Sequence, residues 1–328
     1  TNNLQNAIFN SDITFVTVPT PYTKKGFDLK YIRLASTNIA KILNIKNMKH
    51  LVVFKSTILP DTCDKIIIPL FKNKLKKQIY KKTSFAFNPE FLREGSAVDD
   101  FMHPDRLVLG ANNKKTFSIL KEVYSSFNFD NILTTNIKTA EMIKYASNAF
   151  FANLISFSNE IANLSSTLEN VDSKDVIHGL KLDNRFYTKI KNNFIYPSLI
   201  SYIDPGPGFG GSCFPKDLKA IVQFGKTKGK KMNLLNSVME VNENQHKEII
   251  KTINKIFNNL KKIKISILGL SFKPNTDDIR ESQSLKLIKS SRNLFKQIKI
   301  FDPIVKLEKK FIKNYQLLNC ISLKEATT

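Results

Sequence analysis

Long apolar runs are missing from this chain of 328 residues: none approaches the ~18 that a membrane-spanning helix needs. No basic segment followed by an apolar one opens it, so no secretory leader is expected. Cysteine is scarce. Cys63, Cys213 and Cys320 are widely spaced and odd in number, which fits neither a disulfide framework nor a zinc site and points to a reducing cytoplasm, with no metal. Acidic residues are also few, 28 against 51 Lys and Arg, for a net charge of +23. Such a balance can signal nucleic-acid or anionic-membrane binding. Here the lysines spread over most helix faces, with local runs at 71–82 and 225–231 and no aromatic-interleaved stripe. The charge therefore reads as solvated surface that helps attract phosphate-bearing substrates, with neither nucleic acid nor membrane as a partner. One more absence matters: no Gly-x-Gly-x-x-Gly follows a strand, so the usual pyrophosphate loop of a dinucleotide fold is not in this sequence.

What is present is ordinary globular material, 42% hydrophobic and 10% aromatic, in a chain long enough for two domains. Residues 11–18 are β-branched and aromatic and end at the breaker Pro19-Thr20-Pro21, which predicts a buried strand. A helix follows at 29–43, then a strand at 51–55 running into Ser56-Thr57, with another helix after Pro60-Asp61. Strands at 84–87, 106–109 and 132–134 follow, with a helix near 114–125. Alternating strands and helices indicate an α/β fold with a doubly wound, mainly parallel sheet, whose ligands sit beyond the carboxyl ends of the strands. Pro19-Thr20-Pro21 and Ser56-Thr57 lie at those ends.

Helical spacing then continues from about 138 to 168, ~45 Å of helix, enough to join two domains. Glu141, Lys144 and Asn148 fall on one face of it. Further helices are expected at 216–225 and 234–258, a strand at 264–269 opening a second Rossmann-like unit, a helix at 284–295 and a strand at 297–301.

The stretch Asp204-Pro-Gly-Pro-Gly-Phe-Gly-Gly-Ser-Cys-Phe-Pro-Lys-Asp217 organises the rest. Its glycines permit close backbone approach and its prolines stiffen the loop. Cys213 inside it, followed by Lys216 and Asp217, is a candidate nucleophile, because a neighbouring cation favours a thiolate. An incidental buried cysteine in a Gly-rich turn is the alternative. In Asn88-Pro-Glu-Phe-Leu-Arg-Glu-Gly-Ser96, Glu90 and Glu94 are expected on one side of a helical turn, where they could be no more than a surface ion-pair cluster. Lys273 and Arg280, in the loop after the 264–269 strand, are the right types for phosphate.

Five blocks together resemble the UDP-glucose/GDP-mannose dehydrogenase family, in the family's order and over most of the chain. They are Val18-Pro-Thr-Pro21 with Lys55-Ser-Thr57; Asn88–Ser96 with Pro104-Asp-Arg106; Glu141-Met-Ile-Lys-Tyr-Ala-Ser-Asn148; the cysteine loop; and Leu270-Ser-Phe-Lys-Pro-Asn-Thr-Asp-Asp-Ile-Arg-Glu-Ser282. The resemblance implies two Rossmann-like domains joined by a long central helix, divided as 1–135 for NAD, 136–260 for a central helical part with the cysteine loop, and 261–328 for the UDP-sugar. It implies that the first strand, pyrophosphate loop and ribose-reading acid precede Thr1 and that the second sheet continues past 328, so that both domains are incomplete here.

The activity implied is NAD-dependent oxidation of a nucleotide sugar at C6 to the carboxylate, through a thiohemiacetal and a thioester on Cys213. UDP-glucose is the first candidate; a UDP-N-acetylhexosamine or GDP-mannose stays open, as does a basic nucleic-acid-binding protein on an inactive dehydrogenase fold. By resemblance the catalytic set is Cys213, Lys144, Asn148, Asp217, Glu90 and Thr57. Substrate contacts would be Phe91, Leu92, Arg185, Phe209, Gly210 and Lys273, with Arg185 from Gly179-Leu-Lys-Leu-Asp-Asn-Arg185 often reaching across a dimer. Cofactor contacts would be Thr20, Pro21, Ser56, Thr57, Glu94 and Arg280. A homodimer packed along the central helix and a cytoplasmic location are implied too. After Arg185 the chain is longer than is usual before the Gly-rich loop.

Overall fold

The computed structural model describes residues 1–23, 26–127, 131–191 and 193–328. The chain divides into two compact units, Thr1–Ser147 and Asn148–Thr328. The first holds a five-stranded sheet of β1 (Ile13–Val16), β2 (His50–Phe54), β3 (Thr83–Phe87), β4 (Leu107–Ala111) and β5 (Ile132–Thr135), side by side in that order. Pairing is parallel throughout except between β3 and β4. Every residue of β2 is buried, which is why its Leu51–Phe54 part reads in sequence as a continuous apolar run.

Alternate side chains of β2 enter two different cores. Val52 and Phe54 pack with Ile39 and Leu43 of α1 (Lys30–Lys46) and with Phe71 of α2 (Ile68–Lys74). Leu51 and Val53 pack with Leu109 and with Leu120 of α3 (Lys114–Val123). Layers on both faces make the sheet doubly wound, as its strand–helix alternation predicts. The helix expected after Pro60-Asp61 begins as a π-helical turn, Cys63–Ile67, and becomes α-helical only at Ile68.

The long helix is α4 (Ile137–Ser165), 29 residues, close to its predicted bounds. In the second unit come an antiparallel hairpin, β6 (Thr188–Ile190) with β7 (Asn193–Ile195), then α5 (Phe214–Thr227) and α6 (Asn233–Ile256). The hairpin lies between Arg185 and the Gly-rich loop. A parallel sheet follows, β8 (Lys264–Leu268), β9 (Gln297–Phe301) and β10 (Leu317–Asn319), with α7 (Gln283–Ser290) before β9. Ile267, Ile288, Ile298 and Ile300 centre its core. Among the described residues no helix is long and apolar enough to cross a membrane, and no cluster of His, Cys, Asp and Glu could hold a metal ion.

Candidate active site

In the first unit the chemistry-bearing groups gather where β2 and β3 end. Pro89 disfavours a helical conformation at Asn88, so the chain leaves β3 as a loop. The helical turn expected to align Glu90 with Glu94 does not form; a helix begins only at Ala97, and Glu94 lies in the turn before it. Arg93 explains the difference. Its backbone N–H donates to Asp100 at 2.6 Å and its guanidinium pairs with the same carboxylate, folding the loop back on that helix. The Arg93 guanidinium holds the Asp100 carboxyl below the usual range.

Lys144, 3% exposed on α4, donates to the Glu90 backbone carbonyl at 2.6 Å and lies 3.1 Å from a Glu90 carboxylate oxygen. The other Glu90 oxygen accepts the Leu92 N–H at 2.8 Å. The Phe91 ring has the Arg106 guanidinium 4.0 Å from its centroid and the Lys144 ammonium at 5.4 Å. The cluster is thus two cations and a carboxylate around one aromatic ring, opening into a pocket lined by Lys55, Glu90, Phe91, Leu92 and Arg106. Lys55 donates to Asn88 at 2.9 Å, and Tyr124 reaches the same amide oxygen at 2.5 Å. Burial draws the Lys55 ammonium down to about 8, opposed by nearby Glu90 and aided by Lys144.

Glu141, fully buried one turn before Lys144, does not join this cluster. It accepts the Cys63 N–H at 2.9 Å at the start of the π-helical turn. Burial pushes its carboxyl up to about 7, partly offset by the hydrogen bonds from Cys63. A folded-state value above the unfolded one means that the native protein binds the proton more tightly. That contribution is complete below about 4.5 and lost as pH rises through about 7, on the order of 3 kcal/mol in all. Glu141→Gln is therefore expected to melt higher than the parent at pH 8 and equally at pH 4.5; parallel melting curves at both pH values would exclude this role for Glu141.

The second unit presents the cysteine. Cys213 is exposed and is the N-cap of α5, at the positive end of that helix's dipole. Four residues on, Asp217 is 1% exposed. Its carboxylate accepts the Asn148 side-chain N–H at 2.6 Å and pairs with Lys216 at 2.8 Å. The structure thus places Cys213, Asp217 and Asn148 about one helix start. The Phe209 ring, in the same loop, is 5% exposed, packed edge-on against Phe214 and among Ala149, Ala152 and Leu218.

The loop's glycines are there for space. A Cβ on Gly210 would stand 2.5 Å from the backbone oxygen of Glu281, and Gly211 donates its N–H to the Arg280 carbonyl at 2.8 Å. Backbone cannot step aside as a side-chain tip can. Gly210→Ala is expected to cost about 1–3 kcal/mol through overpacking. A melting temperature within a degree of the parent's would contradict it.

The remaining expected residues are placed less distinctively. The Thr20 hydroxyl donates to the Thr57 carbonyl at 2.7 Å and the Ser56 hydroxyl to the Val18 carbonyl at 2.7 Å, stapling together the loops that follow β1 and β2. Arg185 turns back on Asp183 at 2.6 Å and is 82% exposed. Arg280 pairs with Asp278 at 2.8 Å, and Lys273 lies 5.8 Å from the Phe272 ring centroid.

Sequence reading missed Lys55, Asn88 and Tyr124 in the first unit. Lys55 and Asn88 lay inside quoted motifs and could have been found by asking which polar side chains end a fully apolar strand. Tyr124 gave no signal. In the second unit it missed Asn242, whose spacing from Gln245 on an otherwise amphipathic helix was the available clue.

Comparison with known proteins bears on this geometry. Residues 1–128 match the NAD binding domain of the UDP-glucose/GDP-mannose dehydrogenase family, 138–244 its central domain and 266–328 its UDP binding domain. The UDP-glucose 6-dehydrogenase AglM of Haloferax volcanii is 36% identical over 302 residues, 90% of this chain and 67% of that protein. For TuaD, the UDP-glucose 6-dehydrogenase of Bacillus subtilis, the identity is 38%, covering 93% of this chain and 62% of that protein. The chain thus spans about two thirds or less of these curated relatives. A solved UDP-glucose dehydrogenase from the archaeon Pyrobaculum islandicum superposes with a TM-score of 0.84 at 33% identity, over 99% of this chain and 72% of that one.

Proposed function

The chain belongs to the UDP-glucose/GDP-mannose dehydrogenase family, and on that premise we propose that it forms the greater part of an NAD-dependent enzyme oxidising UDP-glucose at C6 to UDP-glucuronate. The observation that carries this reading is the exposed Cys213 sulfur at a helix N-terminus, one turn from the buried Asn148–Asp217 pair. An ordinary structural cysteine would be buried and without such neighbours. The UDP-glucose 6-dehydrogenases of Haloferax volcanii and Bacillus subtilis among its relatives favour glucose over the other sugars.

NAD, when bound, accepts the electron pair that leaves carbon at each of the two oxidations. The residues do the rest. The Glu90 carboxylate, oriented by Lys144 and the Leu92 N–H, takes the C6 hydroxyl proton. Cys213 Sγ then adds to the aldehyde carbon, holding it as a thiohemiacetal and, after the second oxidation, as a thioester. Lys144 and Asn148 donate to the oxyanion formed at that carbon. Asp217, with Thr57 helping to hold the water, directs hydrolysis: oxygen bonds to carbon, the carbon–sulfur bond breaks and sulfur leaves as thiolate. Phe91, Leu92, Gly210, Arg185 and Lys273 contact the nucleotide sugar, and Thr20, Pro21, Ser56, Glu94 and Arg280 the cofactor. Phe209 belongs to the same set of substrate contacts.

The three-part division at 135 and 260 and a cytoplasmic location belong to the same proposal, as does a homodimer along α4. Support for the dimer comes from the second unit. Phe150, Leu154, Phe157, Ile161 and Leu164 recur at spacings of four and three, the seam of a helix that packs on another, and Phe150, Phe157 and Leu164 are 51%, 44% and 60% exposed. The test of function is an assay of the full-length protein against UDP-glucose, a UDP-N-acetylhexosamine and GDP-mannose. Two NAD reduced per UDP-glucose is expected; turnover of another sugar alone would move the assignment, and none at all would end it.

A further inference from the structure

The cysteine loop has no regular structure of its own to hold it, so its position depends on what grips its backbone. Two residues carry the grip, and the backbone of each is held by buried carboxamides. At Phe209 the N–H donates to the Asn242 side-chain oxygen at 2.7 Å, and the carbonyl accepts the Asn242 side-chain N–H at 3.0 Å. The same carbonyl accepts from Gln283 at 2.9 Å. At Gly206 the N–H donates to Asn159 at 2.7 Å and the carbonyl accepts from Gln245 at 3.0 Å. Asn242 and Gln245 lie three apart on one face of α6, and all four side chains are at most 6% exposed.

A carboxamide is the one side-chain type that mirrors a peptide, offering an acceptor and a donor in one plane. Asn242 uses both against a single residue. The fit is close enough to dictate the neighbour: Gly208 has φ of +103°, and a Cβ there would meet the Asn242 side-chain oxygen at 2.5 Å. Downstream, Gly211 is tied to the Arg280 carbonyl, and Cys213 follows two residues later.

We propose that Asn242 is the positioning residue of the nucleophile, its amide bracketing the Phe209 backbone and thereby setting where the Cys213 sulfur stands. This deepens the dehydrogenase reading and rests on it for its kinetic consequence. Asn159, Gln245 and Gln283 complete the clamp. Asn242 touches no substrate; it acts through Phe209 to Gly211.

Asn242→Asp separates positioning from packing, because it keeps shape and volume but sets a second oxygen against the Phe209 carbonyl. In the full-length protein, alkylation of Cys213 by iodoacetamide, followed by mass spectrometry of the peptide carrying it, reads sulfur placement without reference to turnover. Cys63 and Cys320, 1% and 5% exposed, do not compete. The alkylation rate is expected to fall about tenfold, and kcat about 10- to 100-fold with KM for the nucleotide sugar within about threefold, as a displacement of the reacting group by ~1 Å gives. Gln283→Glu, which loses one of the two donors to the same carbonyl, is expected to shift both in the same direction and less. It serves as the test should Asn242→Asp fail to fold. Asn244→Ala, on the same helix and outside the clamp, is the control. Folded variants whose alkylation and kcat both stay within twofold of the parent would overturn the proposal. If alkylation slows in a protein whose parent oxidises no nucleotide sugar, the clamp stands and the dehydrogenase reading falls.

Discussion

Replacing Cys213 with serine in the full-length protein is expected to cut uronate formation by about 10³-fold or more, with nucleotide-sugar binding retained. The side chain lies at the surface, at the cap of α5, so the exchange disturbs no core. On the proposed mechanism, what changes is the nucleophile. A hydroxyl at that point stays protonated and adds poorly to an aldehyde, and no acyl–sulfur bond can form for water to break. NAD reduction should therefore stop at or below one equivalent per sugar, while calorimetry with the UDP-sugar returns a dissociation constant close to the parent's. Undiminished uronate from the serine variant would falsify the covalent role.

Lys144→Met is expected to lower kcat by about 10²- to 10³-fold, the size of effect seen when one donor to a developing oxyanion is removed. Methionine fills the volume of the lysine stem and removes only its charge and donors. Glu90 would then lose the ammonium 3.1 Å from its carboxylate and the donor on its backbone carbonyl, in a cluster where Lys144 is almost fully buried. Because the interaction matters most where charge develops, kcat should fall much further than KM rises. A variant with parental kcat and a raised KM would reassign Lys144 to ground-state binding.

Much of the architecture was legible because local rules and the fold agree. Strand β2 announces itself by the apolar run Leu51–Phe54 because both of its faces are covered. The long helix kept its period from end to end and was found within a few residues of its bounds. The helical turn at Glu90 failed because spacing by four was read as helix, whereas the proline after Asn88 and the Arg93–Asp100 pair hold the chain open. The hairpin after Arg185 was seen only as extra length, since its strands are three residues each and too short to show a period.

The chain by itself determined which chemistry is on offer: a rigid glycine- and proline-bearing loop around a cysteine, and acids, lysine and asparagine at helical spacing. These are properties of residue type and short-range order, and they survive without coordinates. Only the tertiary structure decided partners. It gave Lys144 to Glu90 and Asn148 to Asp217, withdrew Glu141 to Cys63, sank the Phe209 ring into a core and set Asn242 against its backbone. Those pairings join residues between 33 and 78 positions apart. Burial, which makes a hydrogen bond obligatory for each of these polar groups, is settled by how the elements pack and by nothing local.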